Sequence, residues 1–353
     1  MKFNLFKQSP KQFLSRDIGI DLGTATVLVF VEGKGIVLNE PSFVAIDTSM
    51  DQITKIGKEA QAMLGRNPAN IEVVRPLKDG VISRYEVTQR MIQYFYRRAC
   101  GGSIVHPRMV ICVPTGISEV EERAVIDAGI QAGARKTYLI EEPVAAALGA
   151  GVDIFGPVGN MVVDIGGGST DIAVISLGGV VVSQSVKIAG DKFDEAIARY
   201  VRRKHNVAIG ERTAEKIKMQ IGVVYEHSEV KTIEVKGRCL VQGLPKNISI
   251  SSKEMLEAMM EPISAILDSI CYVIEHTPPE LMGDILKNGI ILAGGGSMLV
   301  GLDKLIEDVT GIKTRMVKEP IKCVALGTGK VLSLLDSFPD GGRIDLSKYR
   351  GRR

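Results

Sequence analysis

Two short glycine turns, each following a strand that ends in aspartate, carry the residues best suited to chemistry. Asp21 is followed by Leu-Gly-Thr-Ala, and Asp164 is followed by Ile-Gly-Gly-Gly-Ser. Glycine lets backbone N–H groups approach phosphate oxygens, and the hydroxyl residues after each glycine add further donors. Two such turns facing each other would bind a polyphosphate from both sides. The sequence therefore predicts a polyphosphate site between two similar units.

The two aspartates would meet at the centre of such a site and hold Mg²⁺. Because Mg²⁺ loses its water reluctantly, water molecules are expected between the metal and the carboxylates of Asp21 and Asp164. A third glycine run, at residues 294–296, also follows an apolar strand and supports this interpretation. No lysine lies between Asp21 and Phe30, so the first turn is not a P-loop. Two solvated β-turns are the alternative that the pattern leaves open.

Strands alternate with helices around these turns, which is typical of an α/β fold. Two S-x-x-E capping boxes, at Ser118 and Ser251, mark helix starts. The predicted strands cover residues 108–113, 136–140 and 290–292, a predicted hairpin covers 232–241 and 246–250, and the predicted helices cover 118–131, 142–149, 191–205, 211–222 and 251–276. The repeated unit of strand, aspartate, glycine turn and strand predicts a duplicated pair of domains with a ligand cleft between them.

Composition and charge exclude several classes of protein. A chain of 353 residues exceeds what one core usually holds, so at least two domains are expected. Its 44 Lys and Arg against 41 Asp and Glu are too nearly balanced for general nucleic-acid binding. Five scattered cysteines without a CxxC pair predict neither a disulfide framework nor a zinc cluster, and suit a reducing cytosol. No apolar run is long enough to span a bilayer, so a soluble intracellular protein is expected.

Five motifs, in order along the chain, resemble the ATPase superfamily of actin, sugar kinases and heat-shock chaperones. Residues 21–24 and 164–171 resemble its two phosphate loops, 140–149 and 325–330 its two connecting helices, and 294–301 its adenosine loop. Residues 35–42, 110–114 and 210–215 are similar to the MreB/Mbl family of bacterial actins. The resemblance implies an actin-like ATPase fold of class α/β, with two duplicated α/β domains, each with a smaller subdomain, around a nucleotide cleft.

The resemblance also implies where the subdomains begin and end. Subdomain IA would comprise residues 1–43, 77–156 and 326–353, IB residues 44–76, IIA residues 157–192 and 257–325, and IIB residues 193–256.

The same resemblance assigns roles to residues of the cleft. It implies ATP or ADP with Mg²⁺, the metal being held by Asp21 and Asp164. Glu142 would orient the attacking water, with Ser169 as its hydroxyl partner where the family usually has Thr. The phosphates would lie on the first two glycine turns, the ribose and adenine near residues 215–218, and the adenosine face on the third glycine run. The nucleotide-binding residues would be Asp21, Gly23, Thr24, Ala25, Thr26, Val27, Asp164, Gly166, Gly167, Gly168, Ser169, Glu215, Lys216, Ile217, Lys218, Gly294, Gly295, Gly296, Ser297 and Met298.

The implied function is ATP-dependent assembly into filaments that organise lateral cell-wall synthesis and rod cell shape, with a weak ATPase activity coupled to filament turnover. The implied partners are further copies of the chain, the inner face of the cytoplasmic membrane and membrane proteins of the cell-wall elongation machinery, without nucleic acid. The expected location is the cytoplasm, against that membrane. Membrane contact is expected at an amphipathic start and an apolar loop, namely Phe3, Leu5, Phe6, Ile104 and Val105.

Other members of the superfamily fit the sequence less well. A sugar kinase needs an aspartate base and a sugar pocket, usually in a longer chain. A chaperone-type ATPase carries a β-rich substrate domain after the ATPase, whereas only a short segment follows the last motif here. A non-polymerising, ATP-switched scaffold is the remaining alternative to a filament.

Overall fold

The computed structural model describes residues 16–101, 106–226, 230–338 and 340–349. The residues predicted to contact the membrane, Phe3, Leu5, Phe6, Ile104 and Val105, therefore lie outside the described residues. Among those described, no helix is both long and apolar enough to cross a membrane.

Strands and helices alternate along the described chain. The strands are β1 (Ile18–Leu22), β2 (Thr26–Val31), β3 (Gly35–Pro41), β4 (Val44–Asp47), β5 (Gln52–Ile56), β6 (Ile71–Val74), β7 (Leu77–Lys78), β8 (Val81–Ile82), β9 (Arg108–Val113), β10 (Lys136–Glu141), β11 (Asn160–Ile165), β12 (Thr170–Ser176), β13 (Gly179–Val186), β14 (Val207–Ala208), β15 (Thr232–Cys239), β16 (Pro245–Ser251), β17 (Ile290–Ala293), β18 (Thr314–Met316) and β19 (Gly342–Arg343). The α-helices are α1 (Lys58–Met63), α2 (Tyr85–Cys100), α3 (Glu119–Ala132), α4 (Glu142–Gly149), α5 (Gly190–His205), α6 (Glu211–Ile221), α7 (Ser252–Glu275), α8 (Pro279–Asn288), α9 (Leu302–Thr310) and α10 (Cys323–Leu332).

The two large sheets repeat one strand order. The first runs β19-β10-β9-β1-β2-β3, and the second runs β13-β12-β11-β17-β18. Read from opposite edges, β10-β9-β1-β2-β3 matches β18-β17-β11-β12-β13. In both, the strand that carries the aspartate (Asp21 in β1, Asp164 in β11) lies between an antiparallel hairpin partner and a parallel strand from later in the chain. The duplicated pair of α/β domains predicted from the sequence is confirmed.

Each large sheet carries a smaller one. The sheet β5-β4-β6 lies within residues 44–76, and the sheet β14-β15-β16 lies within residues 193–256. We call residues 16–141 and 340–349 the first lobe and residues 160–316 the second lobe. The subdomain boundaries themselves stay predictions.

Helices α4 and α10 pack against each other between the lobes, with α10 against β1 and α4 against β11. A Cβ at Gly149 or at Gly327 would overlap the backbone of the opposite helix, so the two backbones approach as closely as glycine allows. Val110 of β9 and Val162 of β11 belong to one hydrophobic core with these helices. The two lobes therefore share a close-packed core around α4 and α10.

Both predicted capping boxes are present. Ser118 and Glu121 cap α3, and Ser251 and Glu254 cap α7. The predicted hairpin is formed by β15 and β16, which pair from Thr232 opposite Ser251.

Candidate active site

The structure brings the two predicted glycine turns together across the cleft. A Cβ at Gly167 would lie 2.6 Å from the Cβ of Ala25, and a Cβ at Gly168 would lie 2.6 Å from Thr24 Oγ1. These separations are too short for any residue with a side chain at either position. The turn between β1 and β2 thus faces the turn between β11 and β12 directly, with Thr24 and Ala25 against Gly167 and Gly168.

Local hydrogen bonds fix the conformation of each turn. In the first, Gly23 N donates to Thr26 O at 3.1 Å, and in the second, Gly166 N donates to Ser169 O at 3.0 Å. At the start of α5, Asp191 N donates to Gly167 O at 2.8 Å. The second turn is therefore anchored through its carbonyl groups to the N-terminus of a long helix.

A third turn, between β7 and β8, contacts both glycine turns and was not predicted from the sequence. Gly80 N donates to Thr24 Oγ1 at 3.1 Å, and a Cβ at Gly80 would lie 3.1 Å from Ser169 Oγ. Asp79 and Gly80 both have positive φ, at 52° and 79°. The Asp-Gly dipeptide is the signal that could have identified this turn.

Asp171 joins the two lobes at the floor of the cleft. Its Oδ1 accepts hydrogen bonds from Thr115 N at 2.9 Å and from Thr115 Oγ1 at 2.8 Å. Asp171 lies directly opposite Asp164 in the β11–β12 pair, and both side chains are buried. Neither Thr115 nor this role of Asp171 was expected from the sequence.

Four acidic residues share this poorly solvated cleft. Burial raises the pKa of Asp21 to about 7, although part of the residue stays accessible to solvent. Burial, and then the negative charges of Asp21 and Asp171, raise the pKa of Asp164 well above its ordinary value. The pKa of Glu142 is also raised well above its ordinary value, by burial and then by the charges of Asp171, Asp164 and Asp21. The cleft therefore concentrates carboxyl groups that resist ionisation, and a bound cation would stabilise their charged forms.

The donor chemistry of Asp21 and Asp164 fits Mg²⁺. Carboxylate oxygens are ligands that this ion prefers, and bound Mg²⁺ usually keeps several water molecules. Within the described parts of the chain, no group of three or more His, Cys, Asp and Glu residues is arranged to hold a metal directly. Asp21 and Asp164 are therefore the residues that would hold such an ion.

Glu142 begins the connecting helix α4 and faces the same acidic cleft. Glu141 is the N-cap residue of α4, and a proline follows Glu142 in the first turn. Proline is tolerated there because backbone N–H groups of the first turn have no acceptor within the helix. Ser169, the predicted hydroxyl partner, is buried beside the turn at Gly80. Both residues therefore lie among the groups that surround the two glycine turns.

The segment 215–218 divides between the cleft and the core. Lys218 Nζ donates to Gly190 O at 2.9 Å and to Asp194 Oδ2 at 2.8 Å, which places its ammonium group near the second glycine turn. Glu215 is half-buried and Lys216 is exposed. The side chain of Ile217, which the sequence placed among the nucleotide-binding residues, is fully buried in the hydrophobic core of the second lobe.

The third glycine run lies against the second aspartate. Gly294 has a φ of 77°, and a Cβ there would overlap Asp164 Oδ1 and Ile165 O. Ser297 Oγ donates to Gly294 O at 2.7 Å, while the side chain of Met298 is exposed. The backbone of this run at Gly294 thus borders Asp164.

Arg75 connects the two lobes above the glycine turns. Its Nη1 lies 2.7 Å from Asp191 Oδ1 at the start of α5, and its Nη2 lies 2.6 Å from Glu211 Oε1 at the start of α6. The guanidinium also lies over the ring of Phe43, 4.7 Å from its centroid. No local sequence signal marks Arg75, because its partners are distant in the chain.

Comparison with known proteins gives consistent matches over most of the chain. A family model described as MreB/Mbl protein matches residues 15–339. The cell shape-determining protein Mbl of Bacillus subtilis strain 168 is 49% identical over 326 residues, which cover 92% of this chain and 98% of Mbl. The cell shape-determining protein MreB of Escherichia coli K12 is 49% identical over 328 residues, covering 91% of this chain and 94% of MreB.

Solved structures give the same result. MreB5 of Spiroplasma citri bound to ADP superposes with a TM-score of 0.88 at 37% identity, covering 93% of this chain and 99% of MreB5. The same protein bound to AMPPNP superposes with a TM-score of 0.87 at 38% identity, covering 92% and 97%. The predicted actin-like fold is confirmed.

Proposed function

The chain belongs to the MreB/Mbl protein family, and from that premise we propose that it binds ATP–Mg²⁺ between its lobes and assembles into actin-like filaments. The observation that carries this proposal is the direct contact of the two glycine turns, Thr24 and Ala25 against Gly167 and Gly168. A related protein of the same fold has been solved with ADP and with AMPPNP. Two relatives of this chain are named cell shape-determining proteins, and we extend that role to this chain.

The phosphates of ATP would lie at these turns because the second turn presents glycine backbone and the first presents only the small side chains of Thr24 and Ala25. N–H groups and the Thr24 hydroxyl supply donors without bulk. Mg²⁺, when bound near Asp21 and Asp164, would neutralise phosphate charge. The raised pKa values of these two carboxyl groups support Mg²⁺ binding here, since a nearby cation stabilises the ionised form of a buried carboxylate.

Glu142 and Ser169 are the residues proposed for hydrolysis. Phosphoryl transfer to water depends mainly on positioning and charge stabilisation. The Glu142 carboxylate would accept a hydrogen bond from the attacking water and take its proton as the new bond to the γ-phosphorus forms and the bond from that phosphorus to the ADP oxygen breaks, releasing ADP and phosphate. The buried Ser169 hydroxyl would hold that water from the other side. The resulting activity is a slow ATPase coupled to filament turnover.

The nucleotide would act as a switch between subunit conformations. Its phosphates would bridge the two glycine turns, and the relative angle of the lobes would then set the contacts between subunits. The bonds from Thr115 to Asp171 and from Arg75 to Asp191 already cross the cleft. A nucleotide that strengthens this closed arrangement would favour assembly.

We further propose that the filament binds the inner face of the cytoplasmic membrane and there guides membrane proteins of the cell-wall elongation machinery in lateral wall synthesis. The expected contact residues are Phe3, Leu5, Phe6, Ile104 and Val105. Each subunit would bind lipid weakly, and a filament would bind tightly because it repeats the weak site. Replacing Ile104 and Val105 by Ser and deleting residues 1–7 should abolish co-sedimentation with anionic liposomes. Liposome binding equal to that of the parent would place the membrane surface elsewhere.

Light scattering with added ATP–Mg²⁺ separates the filament from the two alternatives, a non-polymerising scaffold and a chaperone-type ATPase. A filament-forming protein shows a rise in scattering above a critical concentration. A signal that stays flat at every protein concentration would favour one of the alternatives.

A further inference from the structure

The C-terminal segment 340–349 lies beyond the family match, which ends at residue 339. Its strand β19 extends the first sheet, parallel to the edge of β10, with Arg343 opposite Leu139. The consecutive glycines 341 and 342 have φ values of 79° and 86°, which residues with a Cβ rarely adopt. These glycines turn the chain onto the sheet edge, just before Arg343.

The segment is anchored after Arg343 by contacts that do not involve its side chain. Ile344 N donates to Leu139 O at 2.8 Å, and Leu346 is buried in the core shared by the two lobes. The ring of Tyr349 lies 5.4 Å from that of Phe155, centroid to centroid. The backbone at Arg343 is therefore fixed independently of what its guanidinium binds.

Arg343 binds two acidic residues of the first lobe. Its Nη1 lies 2.7 Å from Glu122 Oε1 on α3, and its Nη2 pairs with Glu141 Oε1 at the end of β10. The Glu141 side chain is only 14% exposed. Burial raises the pKa of Glu141, and the Arg343 charge opposes that rise. Arg343 thus stabilises a carboxylate that would otherwise be poorly solvated.

We propose that Arg343 is a positioning residue for ATP hydrolysis, because by binding Glu141 it fixes the first turn of α4 and so the direction of Glu142. This inference rests on the proposed role of Glu142 in hydrolysis. Glu141 is the N-cap residue of α4, and Glu142 is the next residue in the chain. A displacement of the Glu141 backbone would therefore reach Glu142 through one peptide bond.

Loss of the guanidinium would leave Glu141 buried without its partner. Arg343 is 46% exposed, but Glu141 is largely buried, and a buried charge that loses its partner is left uncompensated. Glu141 would relax towards water and move Glu142 away from the nucleotide. If Glu141 loses its charge as well, the reason for this movement disappears.

The test measures single-turnover phosphate release from ATP–Mg²⁺, and ATP affinity, with the full chain. Arg343→Gln should slow phosphate release about ten-fold while ATP affinity stays within about two-fold of the parent. Arg343→Lys, which keeps the charge, should restore part of the rate. The double variant Arg343→Gln/Glu141→Gln should return to within about three-fold of the parent. The matched control Glu122→Gln removes the other partner of Arg343 and should release phosphate at the parental rate.

Three results would overturn the inference. One is parental phosphate release by Arg343→Gln, and the second is a double variant as slow as the single one. The third is a loss of ATP affinity equal to the loss of rate, which would mark a purely structural contact. Glu142→Gln measured in parallel keeps the two proposals apart, because parental release by that variant contradicts the proposed function itself. Slow release by Glu142→Gln with parental release by Arg343→Gln contradicts the Arg343 inference alone.

Discussion

Thr115 in the first lobe donates both its backbone N–H and its hydroxyl to one carboxylate oxygen of Asp171 in the second lobe. Both residues are buried, and Asp171 lies beside Asp164 on the neighbouring strand. The floor of the cleft is therefore held by a polar contact between lobes. Because hydrogen bonds to a charged group are stronger than neutral ones, we expect this contact to stabilise the protein.

Thr115→Val should destabilise the protein by about 1.5–3 kcal/mol, because the Asp171 carboxylate loses the hydroxyl donor. Thr137→Val is the matched control, since the buried Thr137 hydroxyl has no hydrogen-bond partner among the described residues. Urea unfolding measures both free energies. Equal unfolding free energies for the two variants would show that the Thr115 hydroxyl does not stabilise Asp171.

The stability that the cleft carboxyl groups contribute to the nucleotide-free protein should fall as the pH rises from about 4 to above 7. Asp21 has a pKa of about 7 in the folded protein and 3.8 as its ordinary value, so the folded state binds its proton more tightly than the unfolded state. Its contribution is therefore fully present below pH 4 and is lost as the pH passes 7. Asp164 and Glu142, whose pKa values are also raised, act in the same direction.

Asp21→Asn should raise stability at pH 8 by on the order of 1–3 kcal/mol and flatten this pH dependence. Thermal unfolding at pH 5.5 and pH 8 measures the effect, with exposed Asp303→Asn as the control. Added ATP–Mg²⁺ should stabilise the parent more at pH 8 than at pH 5.5, because its cation meets ionised carboxylates. A parent that is more stable at pH 8 than at pH 5.5 without nucleotide would contradict this electrostatic description.

Glu142→Gln should slow phosphate release by about 10²-fold or more while ATP binding is retained. The substitution keeps the shape of the side chain and leaves both glycine turns unchanged. Filaments should still form and should turn over more slowly. Phosphate release at the parental rate would remove Glu142 from this role.

Arg75→Gln should speed the release of bound ADP by roughly ten-fold, because it removes two ion pairs that cross the cleft, to Asp191 and Glu211. Stopped-flow fluorescence with a labelled ADP measures this rate. Arg84→Gln is the matched control, since Arg84 pairs with Glu72 within the first lobe. If both variants release ADP equally fast, Arg75 does not hold the cleft closed.

Local sequence signals predicted the elements that are specified locally. The capping box at Ser118 gave α3 to within one residue at each end, and the Glu142 helix was predicted with its observed bounds. The two glycine turns after Asp21 and Asp164 predicted the duplicated sheets, because a strand, a turn and a strand are encoded by adjacent residues. Helices α2 and α8 and the small sheet β5-β4-β6 were not predicted.

The cleft was predictable only in part, because local sequence patterns reveal only contacts between residues that are close in the chain. Its glycines and aspartates form a contiguous pattern, whereas Thr115 and Arg75 act on partners in the other lobe that only the folded chain brings near. Ile217 was named with Glu215 and Lys218 as part of a binding segment, and its side chain lies in the core of the second lobe. Contacts between lobes therefore needed the structure.

ATP-dependent sedimentation of a glycine variant tests most directly whether nucleotide between the facing turns drives assembly. Gly167→Ala places a Cβ 2.6 Å from that of Ala25, whereas Gly283→Ala on α8 meets no atom within 4 Å and serves as the control. The parent and Gly283→Ala should sediment with ATP–Mg²⁺ and stay soluble without it, and Gly167→Ala should stay soluble in both. Sedimentation of Gly167→Ala equal to the parent's, or a parent that stays soluble with ATP–Mg²⁺, would contradict the account.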